Sequence, residues 1–322
     1  MPIAQSATRS RIITVGGGKG GVGKSIVALN LAAALSQEGH RVVIADMDLG
    51  AANQHLLLGV LHPAVGLQDL LDRSVADAKD CLTETRVPGL KLLAGTSGVL
   101  GAANIKHAQK VSLLRKLRAL DADIVVIDVG AGVGYNALDF FDLGACKLIV
   151  TTPQVTALHD AYAFLKSAVL RLLRANVKDA GEADLLEPAT VSKSNDKVVD
   201  MLAHLRESWP ELADQVFAEL ASFGACMVGN QVFNDAHAGV FAAVAHTMRE
   251  YLGVKVPVLG WIPAAAIIHE SVNKRRPLAI DPANKKVTVF RKLAQAVLTV
   301  LGSGDRDVGV VEEAAVDEPS AA

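Results

Sequence analysis

Ten residues near the N-terminus, Gly16-Gly17-Gly18-Lys19-Gly20-Gly21-Val22-Gly23-Lys24-Ser25, constrain this chain more than any other stretch. An apolar run, Ile12–Val15, precedes them and reads as a strand. A periodic segment from about Gly23 to Gln37 follows and reads as a helix. Gly18, four intervening residues, and then Gly23-Lys24-Ser25 fit the P-loop pattern in its strand-to-helix setting. Glycines let backbone N–H groups turn inward around a phosphate, and the helix start adds partial positive charge. Lys24 is then placed for the β- and γ-phosphates and the Ser25 hydroxyl for Mg²⁺. The alternative is a glycine turn with no ligand, and the context on both sides argues against it.

The rest of the chain repeats the same alternation. Arg41–Ala45, Leu90–Leu93, Ile124–Ile127, Leu148–Thr151, Cys226–Val228 and Val256–Leu259 read as further strands. Their near-continuous apolar character suits strands covered on both faces. Val111–Leu120, Ala157–Leu173, Val240–Tyr251 and Val287–Leu301 read as helices between or after them. The expected fold class is therefore α/β, a P-loop NTPase fold with a mostly parallel central sheet flanked by helices and carrying a helical insert. With 51% hydrophobic residues the 322-residue chain can bury a large core, which excludes global disorder.

Two regions break the rhythm. Residues 176–222 add material between a helix and the next strand: a polar stretch, Val177–Ser194, and then two helices, Asp196–Arg206 and Trp209–Ala221. Ser208 and Glu211 fit a capping box around the second, with Pro210 in its first turn. Residues 303–322 are acidic, have no apolar stripe and read as a disordered tail behind one domain spanning 1–302.

Three carboxylates stand at or just past strand ends. Asp46 and Asp48 follow the second strand in VVIADMDLGAANQHLLLG, and Asp128 ends Ile124-Val125-Val126-Ile127-Asp128, a Walker B arrangement. A carboxylate at such a place can meet Mg²⁺, hold one of its waters or orient an attacking water. Taken alone, each could instead be a solvated strand-end acid.

Together these motifs resemble the MinD/ParA superfamily of deviant Walker A ATPases. The early lysine in KGGVGKS, the DLGAAN–LLLG run and the DVGAG run are most similar to its FlhG/FleN branch. The resemblance covers about Arg11 to Leu301, interrupted by the insert. It implies ATP and Mg²⁺ as cofactors, with nucleotide contacts from Gly18, Lys19, Gly20, Gly21, Val22, Gly23, Lys24 and Ser25. Lys19 would cross a dimer interface to the partner's phosphates, and Asp48 would position the hydrolytic water. Ser25, Asp46 and Asp128 would serve the metal. Asn230, at the end of FGACMVGN, would read adenine, an amide being able to donate and accept at once. Pro263, in LGWIPAAAIIHE, would lie against the base. Three departures stand out: His55 and Ala265 replace an Asp that the family usually carries, and Gln154 replaces a frequent Glu.

The implied function is a Mg²⁺-dependent ATPase that dimerises on ATP and acts as a spatial or regulatory switch toward a protein partner the sequence does not identify. The alternatives are a DNA-associated partition ATPase and a low-turnover ATP-binding regulator that sequesters a partner. Iron–sulfur relatives fit less well, since Cys81, Cys146 and Cys226 lie far apart with no CxxC. No DQAxxLR-type segment is evident near the N-terminus.

Basic clusters at Lys106, Lys110, Arg115, Lys116 and Arg118, and at Lys274-Arg275-Arg276, Lys285-Lys286 and Arg291-Lys292, could give nonspecific DNA contact or be solvated faces. A formal net charge of −2 excludes a globally basic protein, and 4% aromatics argues against a base-stacking binder. The stripe Val287, Phe290, Leu293, Val297, Leu301 could lie on a membrane or pack on the core, and the acidic residues after it favour the core. With no apolar leader or long apolar run, the expected location is the cytoplasm. The insert is expected either to supply partner specificity or to cover a flank of the sheet.

Overall fold

Why the glycine-rich loop sits where it does follows from the strands around it. A computed structural model of the chain describes residues 10–95, 105–176, 197–281 and 288–302. Its strands are β1 (Arg11–Gly16), β2 (Val42–Met47), β3 (Leu82–Glu84), β4 (Leu90–Leu93), β5 (Ile124–Val129), β6 (Cys146–Thr151), β7 (Ala225–Val232) and β8 (Val258–Pro263). They form one eight-stranded sheet in the order β3-β4-β2-β5-β1-β6-β7-β8. Only the β3–β4 pair is antiparallel. β2, β5 and β6 are buried along their whole length, as their unbroken apolar sequences require. Because the other strands run parallel, the loops after β1, β2, β5, β6, β7 and β8 all emerge at one edge.

The register decides which residues meet there. Asp46 of β2 pairs with Asp128 of β5, and Asp128 pairs with Val15 of β1, one residue before the glycine run. Three motifs far apart in sequence therefore converge through strand pairing alone.

Helices cover both faces. Helix α1 (Lys24–Gln37) has no polar side to speak of, and Val27 to Ser36 are all buried. It is sandwiched between the sheet and a C-terminal helix. In chain order the remaining helices are α2 (Gln54–Leu57), α3 (Leu67–Leu71), α4 (His107–Arg118), α5 (Tyr135–Asp142), α6 (Val155–Asn176), α7 (Val198–Ser208), α8 (Pro210–Ala221), α9 (Asp235–Leu252), α10 (Ala266–Asn273) and α11 (Thr288–Gly302). The one polar residue deep in α1, Asn30, is satisfied: Nδ2 donates to Ile26 O and Oδ1 accepts from Ala279 N.

The apolar stripe of α11 lies on α1. Phe290 and Val297 are fully buried there, and Leu293 and Val300 nearly so. Of the residues expected in that stripe, Val287 lies outside the described residues. Of the two roles open to this stripe, the structure shows the one in the core, since its apolar side is used there. Among the described residues no helix is long and apolar enough to cross a membrane.

The two described helices of the insert also bury their apolar stripes. α7 buries Val198, Leu202 and Leu205, and α8 buries Ala213, Val216 and Leu220, all within the core shared with α6 and α9. They pack on each other and on those two helices. The expected capping box does not form: Ser208 is the last residue of α7, and Trp209 stands before Pro210 without a side-chain cap. The polar stretch 177–194, the tail 303–322 and the pair Lys285-Lys286 lie outside the described residues.

Candidate functional site

At the carboxyl edge of β1 the chain turns through the glycine run and enters α1 at Lys24. Gly23 stands before the helix with φ +93°, a backbone that side chains with a Cβ rarely adopt. A Cβ there would also meet Asn230 Nδ2 at 2.1 Å. Gly18 is required for a different reason, since a Cβ on it would lie 2.0 Å from the carbonyl oxygen of Asp160 on α6. Gly23 offers no side chain to cap α1, which leaves the first amides of the helix available to an anion.

The two lysines of the loop are disposed differently. Lys24 is nearly buried, and its ammonium donates to the carbonyl of Lys19 at 3.1 Å. Burial lowers its pKa, while Asp128 and then Asp48 act to raise it. Lys19 Nζ instead donates to Thr156 Oγ1 at 2.9 Å, an exposed contact at the start of α6.

The carboxylates behind the loop are held tightly. Asp46 is fully buried, and its oxygens accept from three backbone N–H groups: Asp48 (3.2 Å), Asn53 (2.8 Å) and Gln54 (2.9 Å). It folds the segment 48–54 around itself. Burial still outweighs these bonds and raises its pKa to about 6. Asp128 accepts from Gln54 Nε2 at 2.8 Å through Oδ2, while its Oδ1 is buried with no hydrogen-bond partner among the described residues. Burial, and then the nearby Asp46, push it to about 7, opposed by the Gln54 amide, the Ser25 hydroxyl and Lys24. A buried acceptor without a donor, beside Ser25 and at the mouth of a phosphate loop, suits a hydrated divalent cation. Asp46 presents its oxygens to the switch backbone, so the structure places it one step behind Asp128.

Asp48 is half-buried, and its Oδ1 accepts from Ala51 N at 3.3 Å. It lines a cleft of about 660 Å³ together with Met47, Gly130, Ala131 and Tyr135. The carboxylate therefore has access to solvent on one side and to the loop lysine's field on the other.

The end of β7 closes the opposite side of the loop. Asn230 is buried, and its Nδ2 donates to Val22 O at 2.8 Å. The next residue, Gln231, takes φ +57° and reaches Gly21 O at 3.4 Å. Asn230 thus clamps the loop through one amide N–H. Pro263 ends β8, exposed, in register with Val232.

The sequence reading missed Gln54. It is completely buried, and besides Asp128 it donates to the carbonyl of Ser25 at 3.0 Å. Its only signal was its place between Asn53 and His55, after a strand-end Asp pair and before the apolar LLLG. Other expected residues do not join the site. Lys110 leaves the α4 basic cluster, since it is buried and ion-paired with Asp139, which also binds Arg171. Lys106, just before α4, and Arg115 and Arg118 on it remain exposed. His55, half-buried on α2, has its pKa lowered by burial. The three cysteines are buried at separate places, before β3, on β6 and on β7.

Comparison with known proteins agrees with this geometry. The model of the ParA family, described as NUBPL iron-transfer P-loop NTPase, matches residues 8–171, half of the chain. The antiactivator FleN of Pseudomonas aeruginosa is 34% identical over 158 residues, which is 48% of this chain and 55% of that protein. The flagellum site-determining protein YlxH of Helicobacter pylori is 35% identical over 159 residues, 49% of this chain and 53% of that one. The chain spans about half the length of the curated relatives it matches. Among solved structures, the cell division ATPase MinD of Pyrococcus furiosus superposes with a TM-score of 0.62 at 24% identity, over 90% of this chain and 99% of that one.

Proposed function

The chain belongs to the ParA/MinD family of P-loop NTPases, and from that premise we propose that it is a Mg²⁺-dependent ATPase that dimerises on ATP and serves as a positioning or regulatory switch. One observation carries the reading. The glycine run, Ser25 and the unpartnered oxygen of Asp128 meet at one corner of the carboxyl edge, beside the half-buried Asp48.

Each residue then has a chemical task. Backbone amides from Gly18 to Ser25 surround the phosphates, and Lys24 leaves the Lys19 carbonyl to reach the β- and γ-oxygens. Ser25 and Asp128 hold the metal, with Asp46 supporting from behind through the switch backbone. When bound, Mg²⁺ neutralises charge on the phosphate oxygens. Asp48 orients the attacking water, and Asn230 and Pro263 border the base.

Dimerisation has its own support. Leu56, Val133, Tyr135, Val155 and Phe233 are exposed large apolar side chains, and all lie in loops or helix starts following the carboxyl ends of β2, β5, β6 and β7. An apolar rim around a phosphate site suits a second copy meeting it face to face. Two triphosphates brought together need extra cations, and Lys19 supplies one per subunit. Its tie to Thr156 is a single exposed hydrogen bond and easily exchanged. One relative, FleN, is named an antiactivator and another, YlxH, a flagellum site-determining protein, so the favoured partner is a protein whose action or placement the ATP-bound dimer controls. Sedimentation with ATP and Mg²⁺ tests the reading: a dimer forms, and Lys19→Ala abolishes it while nucleotide binding persists. A Lys19→Ala protein that dimerises normally refutes it.

A further inference from the structure

One buried side chain has no place in the scheme above, although it touches three parts of it. Gln54 opens α2, the short helix after the switch segment. Its backbone N–H donates to Asp46 Oδ2 at 2.9 Å. Its Nε2 donates both to Asp128 Oδ2 at 2.8 Å and to the Ser25 carbonyl at 3.0 Å. Its Oε1 is buried without a hydrogen-bond partner among the described residues, and the same is true of Asp128 Oδ1.

Those contacts are more than packing. A buried amide with half its capacity unused costs stability that an apolar side chain of the same length would not. What the amide supplies is direction. Gln54 engages Oδ2 of the Asp128 carboxylate and so leaves Oδ1 as the oxygen without a hydrogen-bond partner among the described residues. With the Ser25 carbonyl engaged by the same nitrogen, the first turn of α1 is tied to α2. The link continues through the main chain. Asp46 holds the N–H groups of Gln54, Asn53 and Asp48 on one carboxylate, so a displacement of Gln54 is passed directly to Asp48.

We propose that Gln54 is a positioning residue that couples occupancy of the Mg²⁺ corner to the conformation of the segment carrying Asp48. Asp128 would hold the cation through Oδ1 while Gln54 binds its other oxygen, and α2 would respond because Gln54 ties it to Asp128, Ser25 and Asp46 at once. Asp48 then adopts its working position only when the corner is filled, which prevents hydrolysis without metal. This inference rests on the ATPase reading and adds to it a device specific to this side chain.

The test uses the full chain and three readouts: ATP binding in EDTA, the Mg²⁺ concentration giving half-maximal hydrolysis, and hydrogen exchange of residues 48–58 with ATP in EDTA against ATP with Mg²⁺. In the unaltered protein Mg²⁺ changes exchange in this segment beyond what ATP alone does. Gln54→Met keeps length and volume but removes the donor. It leaves ATP binding in EDTA unchanged, raises the half-saturating Mg²⁺ concentration about tenfold, on the scale of losing a residue that orients a metal ligand, and abolishes the Mg²⁺-dependent exchange difference. Normal Mg²⁺ dependence in a folded Gln54→Met protein overturns the proposal. If that variant does not fold, the unaltered protein decides: no Mg²⁺-dependent change in residues 48–58 overturns the coupling, and a change confined to them upholds it. A protein that binds no ATP in either condition overturns the ATPase reading itself, an outcome distinct from these.

Discussion

Replacing Gly23 with alanine should weaken the nucleotide-free protein through two linked effects. At φ +93° an alanine is strained by about 1–2 kcal/mol. Its methyl would also meet the Asn230 amide, which must move and so give up its 2.8 Å bond to the Val22 carbonyl. Leaving that buried pair unmade costs about another 1–2 kcal/mol. The expected total is about 2–4 kcal/mol. Asn230→Ala alone removes only the second contribution, about 1–2 kcal/mol.

The double variant is informative. If alanine at 23 already displaces the Asn230 amide, then deleting that amide as well costs nothing further. The double variant should match Gly23→Ala alone, a coupling of about 1 kcal/mol or more, as expected for residues in contact. Urea unfolding of the four proteins without nucleotide measures this directly, with a midpoint shift on the order of 1 M for Gly23→Ala. Strictly additive losses would refute the reasoning, since they would mean that Asn230 does not clamp the loop at Gly23.

Three further outcomes are expected. Asp48→Ala should retain ATP binding and the dimer while turnover falls by about two orders of magnitude or more, the scale for a positioned water-orienting or basic group; single-turnover hydrolysis and sedimentation check it. The stability of the nucleotide-free protein should fall as pH rises from about 4 to about 7, because Asp46 and Asp128 have raised pKa values when folded and the folded state then binds more protons than the unfolded one. Melting temperatures across that window should decline, and Asp128→Asn should flatten the decline; an unaltered profile in Asp128→Asn would sink the assignment. Phe290→Ala should cost about 3–5 kcal/mol by opening a cavity between α11 and α1, read by urea unfolding, without changing liposome pelleting.

What could be read from the sequence was whatever chemistry is carried by neighbouring residues. The glycine run needs its glycines within one turn, so Gly18, Gly23, Lys24 and Ser25 were legible as a unit. β2, β5 and β6 were legible because strands buried on both faces must be apolar throughout. β3 was not, since its three residues, none of them buried, carry no such run and exist as a strand only through antiparallel pairing with β4. The capping box at Ser208 failed for a similar reason: α7, buried on its inner side at Leu205, continues through that residue, which leaves Trp209 in the N-cap position of α8. Lys110 looked like one cation in a basic face, and its partner Asp139 lies on α5, reachable only once the helices are packed.

The ambiguity of α11 shows why periodicity alone could not decide function. A stripe through Phe290, Leu293 and Val297 specifies an apolar surface but not what it meets. The answer lay in α1, whose lack of any polar side demands a cover opposite the sheet. Each helix leaves the other incomplete, and the pairing resolves both. Gln54 follows the same logic at the site. A glutamine after Asn53 has no meaning until β2 and β5 place Asp46 and Asp128 side by side and α2 turns back over them. Residues that act by joining distant elements are invisible to motif reading, because their partners are chosen by topology. That is why the nucleotide loop is legible in one dimension and its connection to the switch only in three.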